Sequence, residues 1–381
     1  MRYFVIIGMV LRAYAGLAQD SLEHKLQVKG YVKDLQALNF QENFSNLVTG
    51  NLIHHRVNLR WQPVKAVSTA VEVRNRFFWG EEIVTIPAFS RQLTMNNGLL
   101  DLSWNALDKQ RMIFNTTIDR LWIEYTREKW NLRAGRQRIN WGIGTTWNPN
   151  DIFNTFNFLD FDYEERPGID GIKFQYYTRA MDHVETAIAF SQRAEDIVGA
   201  VRYFKNIANY DLQLLAGFFH KQPTLGFGWS GSIKETGFKG ELQYFLKRGP
   251  AGQQLNTVIE ADHVFSKGWY LNLAAFYNSA GVKSSAEIPA LINFQFTPRN
   301  LMPTEWNCSL SFSKEISPLI AVNVTFIYSP GTNLVLALPG LAYSATENLD
   351  INLVWQSFFI DQQSGFDDLS HRCFLRFKWS Y

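Results

Sequence analysis

Phe374-Leu375-Arg376-Phe377-Lys378-Trp379-Ser380-Tyr381 closes the chain. With Cys373, residues Leu375, Phe377, Trp379 and Tyr381 fall on one side of an extended strand. Arg372, Phe374, Arg376 and Lys378 fall on the other. A period of two with one apolar and one charged face marks a half-buried strand. A water-soluble domain ending this way would expose Trp379 and Tyr381 on an edge open to association. The pattern is stable where the apolar face meets hydrocarbon and the aromatics sit at its interface.

Composition points the same way. The chain has 381 residues and a net charge of +2, so bulk charge implies neither a nucleic-acid nor a polycation partner. Aromatic residues make up 15%, with 30 Phe, 15 Tyr and 12 Trp, which suits interfacial girdles. Mean hydropathy is −0.17. The longest apolar stretch beyond the N-terminus, Leu334 to Tyr343, is broken by Pro339 and Gly340. It falls far short of the roughly 20 residues a spanning helix needs. A barrel crosses with only every second residue apolar, and so leaves no such run.

Residues 1–18 read as a secretory signal peptide, with Arg2 as the charged start, Tyr3 to Leu11 as the apolar core and Gly16-Leu17-Ala18 as the cleavage site. Residues 19–381 then form one domain. Cys308 and Cys373 fall on apolar faces of distant strands and read as small apolar side chains rather than a disulfide.

Eighteen strand-like segments follow, from 25–38 to 370–381. The gaps between them segregate. The even-numbered ones (62–64, 129–130, 179–182, 206–209, 232–235, 265–267, 316–317 and 342–345) are tight. Every long one is odd: 39–47, 79–114, 141–167, 280–303 and 360–369. Short turns at one end and long loops at the other, with an even strand count, describe an all-β, up-and-down transmembrane barrel of about 18 strands, 16 if a hairpin is split. The 79–114 segment carries Trp79, Ile83, Leu99, Leu100 and Trp104. It is too apolar for a free tail and reads either as a cap or as a partner surface.

The alternation also assigns faces. His54, Arg56, Asn58 and Arg60 oppose Ile53, Val57 and Leu59; Glu72, Arg74 and Arg76 oppose Val71 and Val73; Arg120, Trp122 and Glu124 oppose Leu121, Ile123 and Tyr125. A mid-bilayer Arg or Lys costs about 2–4 kcal/mol, so the charged faces line the lumen. Arg56, Arg60, Arg74, Arg76, Arg120, Arg376 and Lys378 come together as a basic wall once the barrel closes, while Glu185, Glu241, Glu260, Asp262, Glu305 and Asp350 lie on other strands. Opposed walls of this kind orient polar solutes.

One stretch differs from the rest. Gly135-Arg136-Gln137 leads through Trp141-Gly142 to Asn148-Pro149-Asn150-Asp151, then to the acids Asp160, Asp162, Glu164 and Glu165 and to Arg166-Pro167-Gly168-Ile169-Asp170. The 141–167 loop reads either as a constriction folded inward, its acids meeting Arg56, Arg74, Arg76 and Arg120, or as an outward lid. This motif over 135–171 resembles that of the alginate-export-type outer-membrane barrels. The resemblance implies a barrel of about eighteen strands passing anionic polysaccharides or small polar solutes. The strongly basic lumen it implies is matched here on one wall only. The terminal strand likewise resembles the assembly signal of outer-membrane proteins, which implies the assembly machinery as a partner.

No metal-binding, redox or nucleotide-binding motif appears, so no cofactor or metal is implied. His54 and His55 point to opposite faces. His183 and Ser191 stand more than about 20 Å apart along a strand. The best enzymatic grouping is at the outer rim, where Asp367, Asp368 and Ser370 neighbour His371; His220 is the other rim histidine. The expectation is a non-enzymatic porin of the Gram-negative outer membrane, in contact with its lipid and passing small polar or anionic solutes, anionic saccharides among them, by passive diffusion. The alternative is a plugged barrel serving as scaffold or accessory subunit of an export or assembly machine, with partner loops at 79–114 and 280–303.

Overall fold

A computed structural model describes residues 26–96, 98–155, 157–162, 166–179, 181–284, 295–362 and 365–381, leaving out the side chains of 362 and 365–367. The signal segment 1–18 lies outside the described residues. The strands are β1 Leu26–Gln41, β2 Ser45–Val64, β3 Val67–Gly80, β4 Ser103–Lys109, β5 Met112–Arg127, β6 Trp130–Gln137, β7 Ile169–Tyr177, β8 His183–Phe190, β9 Val198–Ile207, β10 Tyr210–Phe219, β11 Gln222–Ile233, β12 Thr236–Phe245, β13 Gln254–Val264, β14 Trp269–Asn278, β15 Trp306–Ser317, β16 Ile320–Ser329, β17 Leu334–Thr346, β18 Leu349–Gln362 and β19 Gly365–Ser380.

Each strand pairs antiparallel with its chain neighbour, and β1 pairs with β19, so the sheet closes on itself. β3 pairs directly with β5, while β4 covers only the outer end of β5. The wall is therefore a closed ring of eighteen strands with β4 as a patch on it. Closure leaves no edge and pairs the backbone within the sheet, the condition for crossing hydrocarbon with strands. Among the described residues no helix is long and apolar enough to cross a membrane.

The pleat sorts the two faces. Leu214, Ile259, Leu273, Leu353, Leu375 and Trp379 are exposed on the outside, while Gln213, Glu260 and Asn272, one residue away from three of them, are buried inside. Cys308 and Cys373 are unbonded thiols. His54 is buried in the lumen and His55 bonds on the outer face to Tyr381, at 3.0 Å. Ala208 and Asn209 both adopt positive φ, the conformation of the tight hairpin turn between β9 and β10.

Four sequence expectations change. The 39–47 gap is only the short turn Glu42–Phe44, and β18 and β19 run through most of 360–369. Phe40, Phe44, Trp355 and His371 pack on the exterior there and extend the pairing outward. The 79–114 segment forms two helical turns, Glu82–Thr85 and Phe89–Thr94, before β4. β6 leaves the wall after Gln137, three residues before its predicted end.

The seam is locked by the last residue. The Gly30 amide donates to the Tyr381 carbonyl at 3.0 Å, and the Tyr381 amide to the Gly30 carbonyl at 2.9 Å. A Cβ on Gly30 would lie 2.5 Å from the Tyr381 phenol oxygen and 2.4 Å from the Arg56 carbonyl oxygen, so only glycine fits there.

Candidate functional site

The basic wall is more neutral than its sequence implies. Arg56 pairs with Glu72 at 2.5 Å and with Asp119, which also holds Arg74 at 3.1 Å. Simple alternation would put Asp119 outside with Leu121. A bulge opposite Glu72 and Val73 instead turns both Asp119 and Arg120 inward. Arg120 then donates to the carbonyls of Asp119 and Arg166 at 2.7 and 2.6 Å. Arg376 donates to Asn352 at 2.8 Å and lies over Phe161, 4.4 Å from its ring centre. Lys378 sits over Tyr31, and Arg60 is exposed at the short-turn end of β2.

The segment between β6 and β7 crosses the lumen as a strap. Its apolar side chains Ile139, Trp141, Ile152 and Phe153 pack on the inner faces of β8 to β12, and Trp147 packs on those of β13, β14 and β16 to β18. The wall grips its backbone. Glu241 accepts from the amides of Ile143, of Gly144 at 2.8 Å and of Asn150 at 2.7 Å. Glu260 accepts from Thr145 at 2.9 Å. Trp141 donates to Glu185, and Gln213 donates to the Trp141 carbonyl at 2.9 Å. On the far side Gln356 donates to the Leu159 carbonyl at 2.9 Å.

The motif residues clasp the two ends of this strap. Arg136 forks onto Asp170 at 2.7 and 2.8 Å, and Asp151 pairs with Arg166 at 2.7 Å. Gln137 donates to the Gly171 carbonyl at 3.1 Å. Gly135, with φ of 115°, has no room for a Cβ beside the Leu121 carbonyl. Pro149 is buried, and Gly142 packs against Asn148. Burial drives the Asp151 carboxyl up to about 7, against the charge of Arg166.

The strap folds inward; Asp160 lines the cavity with Arg74 and Arg76, whereas Asp162 has other partners. Asp162 binds Lys33 and His54 at 2.5 and 2.8 Å rather than Arg56 or Arg120, which the bulge and the strap backbone already occupy. Lys33 was not among the predicted residues, although its parity on β1 places it inside. Burial alone raises Asp162; the His54 hydrogen bond and the Lys33 charge reverse this and hold it below the usual carboxylate range. Asp160 is raised by burial and by Asp162. Glu164 and Glu165 lie outside the described residues.

Above this layer a cavity of ≈ 570 Å³ separates the strap from β3, β5 and the 81–102 segment. Arg74, Arg76, Asp119, Arg136 and Asp160 line it. Arg76 donates to Asn115 at 2.9 Å. The buried Nε atoms of Arg74 and Arg76 have no hydrogen-bond partner among the described residues. At the rim, His371 hydrogen-bonds Ser357 rather than Ser370, the Asp367 side chain lies outside the described set, and His220 stacks on Phe219.

No protein-family model and no characterised protein sequence matches the chain. Its fold is similar to solved structures. OccAB4 of Acinetobacter baumannii superposes with a TM-score of 0.62 at 7% identity, over 94% of this chain and 98% of that one. OccK2 (OpdF) of Pseudomonas aeruginosa in complex with glucuronate gives 0.57 at 10%, over 94% and 98%. OpdK of the same organism with vanillate gives 0.56 at 11%, over 93% and 99%. The ring of eighteen strands is thus the fold of the Occ/Opd outer-membrane porins.

Proposed function

We propose that the chain is a passive channel of the Gram-negative outer membrane for small polar or anionic solutes, with Arg74 and Arg76 as its anion-selecting groups. The observation that carries this reading is the pair of buried guanidinium Nε atoms in the cavity wall without an acceptor among the described residues. An unsatisfied buried donor is costly, and a carboxylate in the cavity would accept from both. Glucuronate and vanillate, held by the OccK2 and OpdK structures, are carboxylates of this size. The finer assignment, to barrels of the alginate-export type, rests on the 135–171 motif; the clasp that Arg136, Asp151, Arg166 and Asp170 form gives that motif a structural reason. The terminal strand, which completes the ring, would engage the assembly machinery.

The test is conductance in planar bilayers with reversal potential under a salt gradient. Wild type gives ohmic steps and anion preference; Arg74→Gln with Arg76→Gln shifts the reversal potential towards cations. Unchanged selectivity in the double variant removes the assignment.

A second reading has its own support. Lys33, Arg56 and Asp119 are almost fully buried, at 0%, 1% and 2% exposure, so the layer under the cavity excludes water around them. A barrel silent in bilayers though folded is the scaffold type, its outer segments 81–102 and 295–303 facing a partner.

A further inference from the structure

Near the loop-rich rim, on the outer face, β18 and β19 set Ser357 directly opposite His371. Leu353 and Leu375, in step with them along the two strands, are exposed, so this face looks into hydrocarbon. Ser357 Oγ lies 2.8 Å from His371 Nδ1, and His371 Nε2 lies 2.8 Å from Asp368 Oδ2. Asp368 would otherwise face the lumen with Arg372; the register shift at Phe358 and Phe359 turns it out to the imidazole. Trp355 Nε1 donates to Ser357 Oγ at 2.9 Å.

For the imidazole to act as a base on Ser357, the proton order of this row is set by its two ends. An indole N–H only donates and a carboxylate only accepts. Trp355 therefore fills one Ser357 lone pair, the Ser357 proton points to Nδ1 of neutral His371, and Nε2–H points to Asp368. The serine is oriented towards a base, and the base is held in the tautomer that can take its proton. Phe40, Trp355 and Phe359 surround the imidazole at 5.2, 6.2 and 5.8 Å between ring centres. Phe44 stacks on Phe40 and is exposed.

We propose that Ser357, His371 and Asp368 form a second site, separate from the channel, that hydrolyses acyl esters of lipids at the outer leaflet. Ser357 Oγ attacks the ester carbonyl carbon while its proton passes to His371 Nδ1. The Trp355 N–H moves its hydrogen bond to the carbonyl oxygen as that oxygen becomes negative. The C–O bond to the alcohol breaks, the alcohol leaves with the proton from Nδ1, and an acyl-serine remains. Water then adds to this acyl group, giving its proton to Nδ1 and from there to Ser357, and the fatty acid is released. Asp368 is a positioning residue that acts through His371. The outer, apolar, aromatic setting selects an acyl chain, since a water-soluble ester has no route to a serine on the hydrocarbon face. This goes beyond the channel reading and does not depend on it.

The folded protein in mixed micelles is treated with an alkyl fluorophosphonate and, separately, with a p-nitrophenyl acyl ester. The expected result is one covalent adduct mapped to Ser357 and steady release of p-nitrophenol. Both are lost in Ser357→Ala and fall about 100-fold or more in His371→Gln. Trp355→Phe lowers turnover about 100-fold. Asp368→Asn lowers kcat on the acyl ester while KM stays unchanged, since Asp368 acts on the base and not on substrate binding; a purely structural role would move both. Heat-modifiable mobility reports folding of each variant, and if Ser357→Ala fails to fold, adduct mapping on wild type decides. No adduct above a boiled control, or release that survives in folded Ser357→Ala, overturns the site and leaves the row as a polar clasp between β18 and β19.

Discussion

Tyr381 lies over Gly30: its phenol oxygen occupies the space where a Cβ on that residue would project, and the two residues exchange both backbone hydrogen bonds across the seam. The ring closes only if a residue without a side chain meets the last residue of the chain. Gly30→Val should expel the Tyr381 ring and press on the Arg56 carbonyl, lowering the yield of the compact band in unheated gels. Tyr381→Phe, which loses the 3.0 Å hydrogen bond to His55 and the 3.5 Å one to the Arg56 carbonyl, should cost about 0.5–1.5 kcal/mol. Equal yields for Gly30→Val and wild type would show the contact to be incidental.

Asp119 is the counter-charge of two buried arginines. Asp119→Asn removes the carboxylate that Arg56 and Arg74 share, an expected loss of about 3–5 kcal/mol in denaturant unfolding from lipid vesicles. Adding Arg56→Gln should recover part of it. Additive losses in the double variant would mean that the two residues do not act as a pair.

Glu241→Gln weakens three backbone contacts that hold the strap. Such buried hydrogen bonds are worth about 0.5–1.5 kcal/mol each, so the strap should loosen within an intact barrel. Added protease then cuts within 141–155, and single-channel conductance rises. An uncut strap at wild-type conductance would place its anchorage in the apolar packing of Trp141 and Trp147.

Acid should release the other end of the strap. The docked Asp162 carboxyl sits below its ordinary value of about 3.9. Docking is therefore favoured above that value and lost as pH falls below it towards the docked one. Conductance should stay steady from pH 7 to about pH 4 and fluctuate below. Asp162→Asn should fluctuate at every pH. Onset near neutral pH instead would point to the Asp151 clasp, whose carboxyl burial raises to about 7.

The ring was legible because a membrane wall writes its two faces into every second residue: Leu375 against Arg376 and Leu214 against Gln213 state which way each strand lies. Sequence parity fails where the chain gains a residue. Nothing around Thr117-Ile118-Asp119-Arg120 marks the bulge that brings Asp119 inside, and the shift at Phe358 and Phe359 that turns Asp368 outward is equally silent. β4 was hidden because Ser103–Lys109 is short and follows helical turns. The strap left a trace that sequence reasoning did not use: Trp141, Trp147, Ile152 and Phe153 are as apolar a set as the 79–114 segment, and side chains of that kind in a loop need a wall to cover them. Acceptor identity is the least legible part, since both Asp162 with Lys33 and Asp119 with Arg56 depend on how deep each side chain lies.

The amides of Ile143, Gly144, Thr145 and Asn150, rather than their side chains, are what Glu241 and Glu260 hold. A grip on the peptide group is blind to the residue that carries it. Gly144 has no room for a Cβ and Asn150 is buried, but at half-buried Ile143 and exposed Thr145 the grip leaves the side chain free to change. Variation should therefore be tolerated at those two positions more readily than at the two acids that anchor the strap, which separates what can change from what keeps the ring in shape.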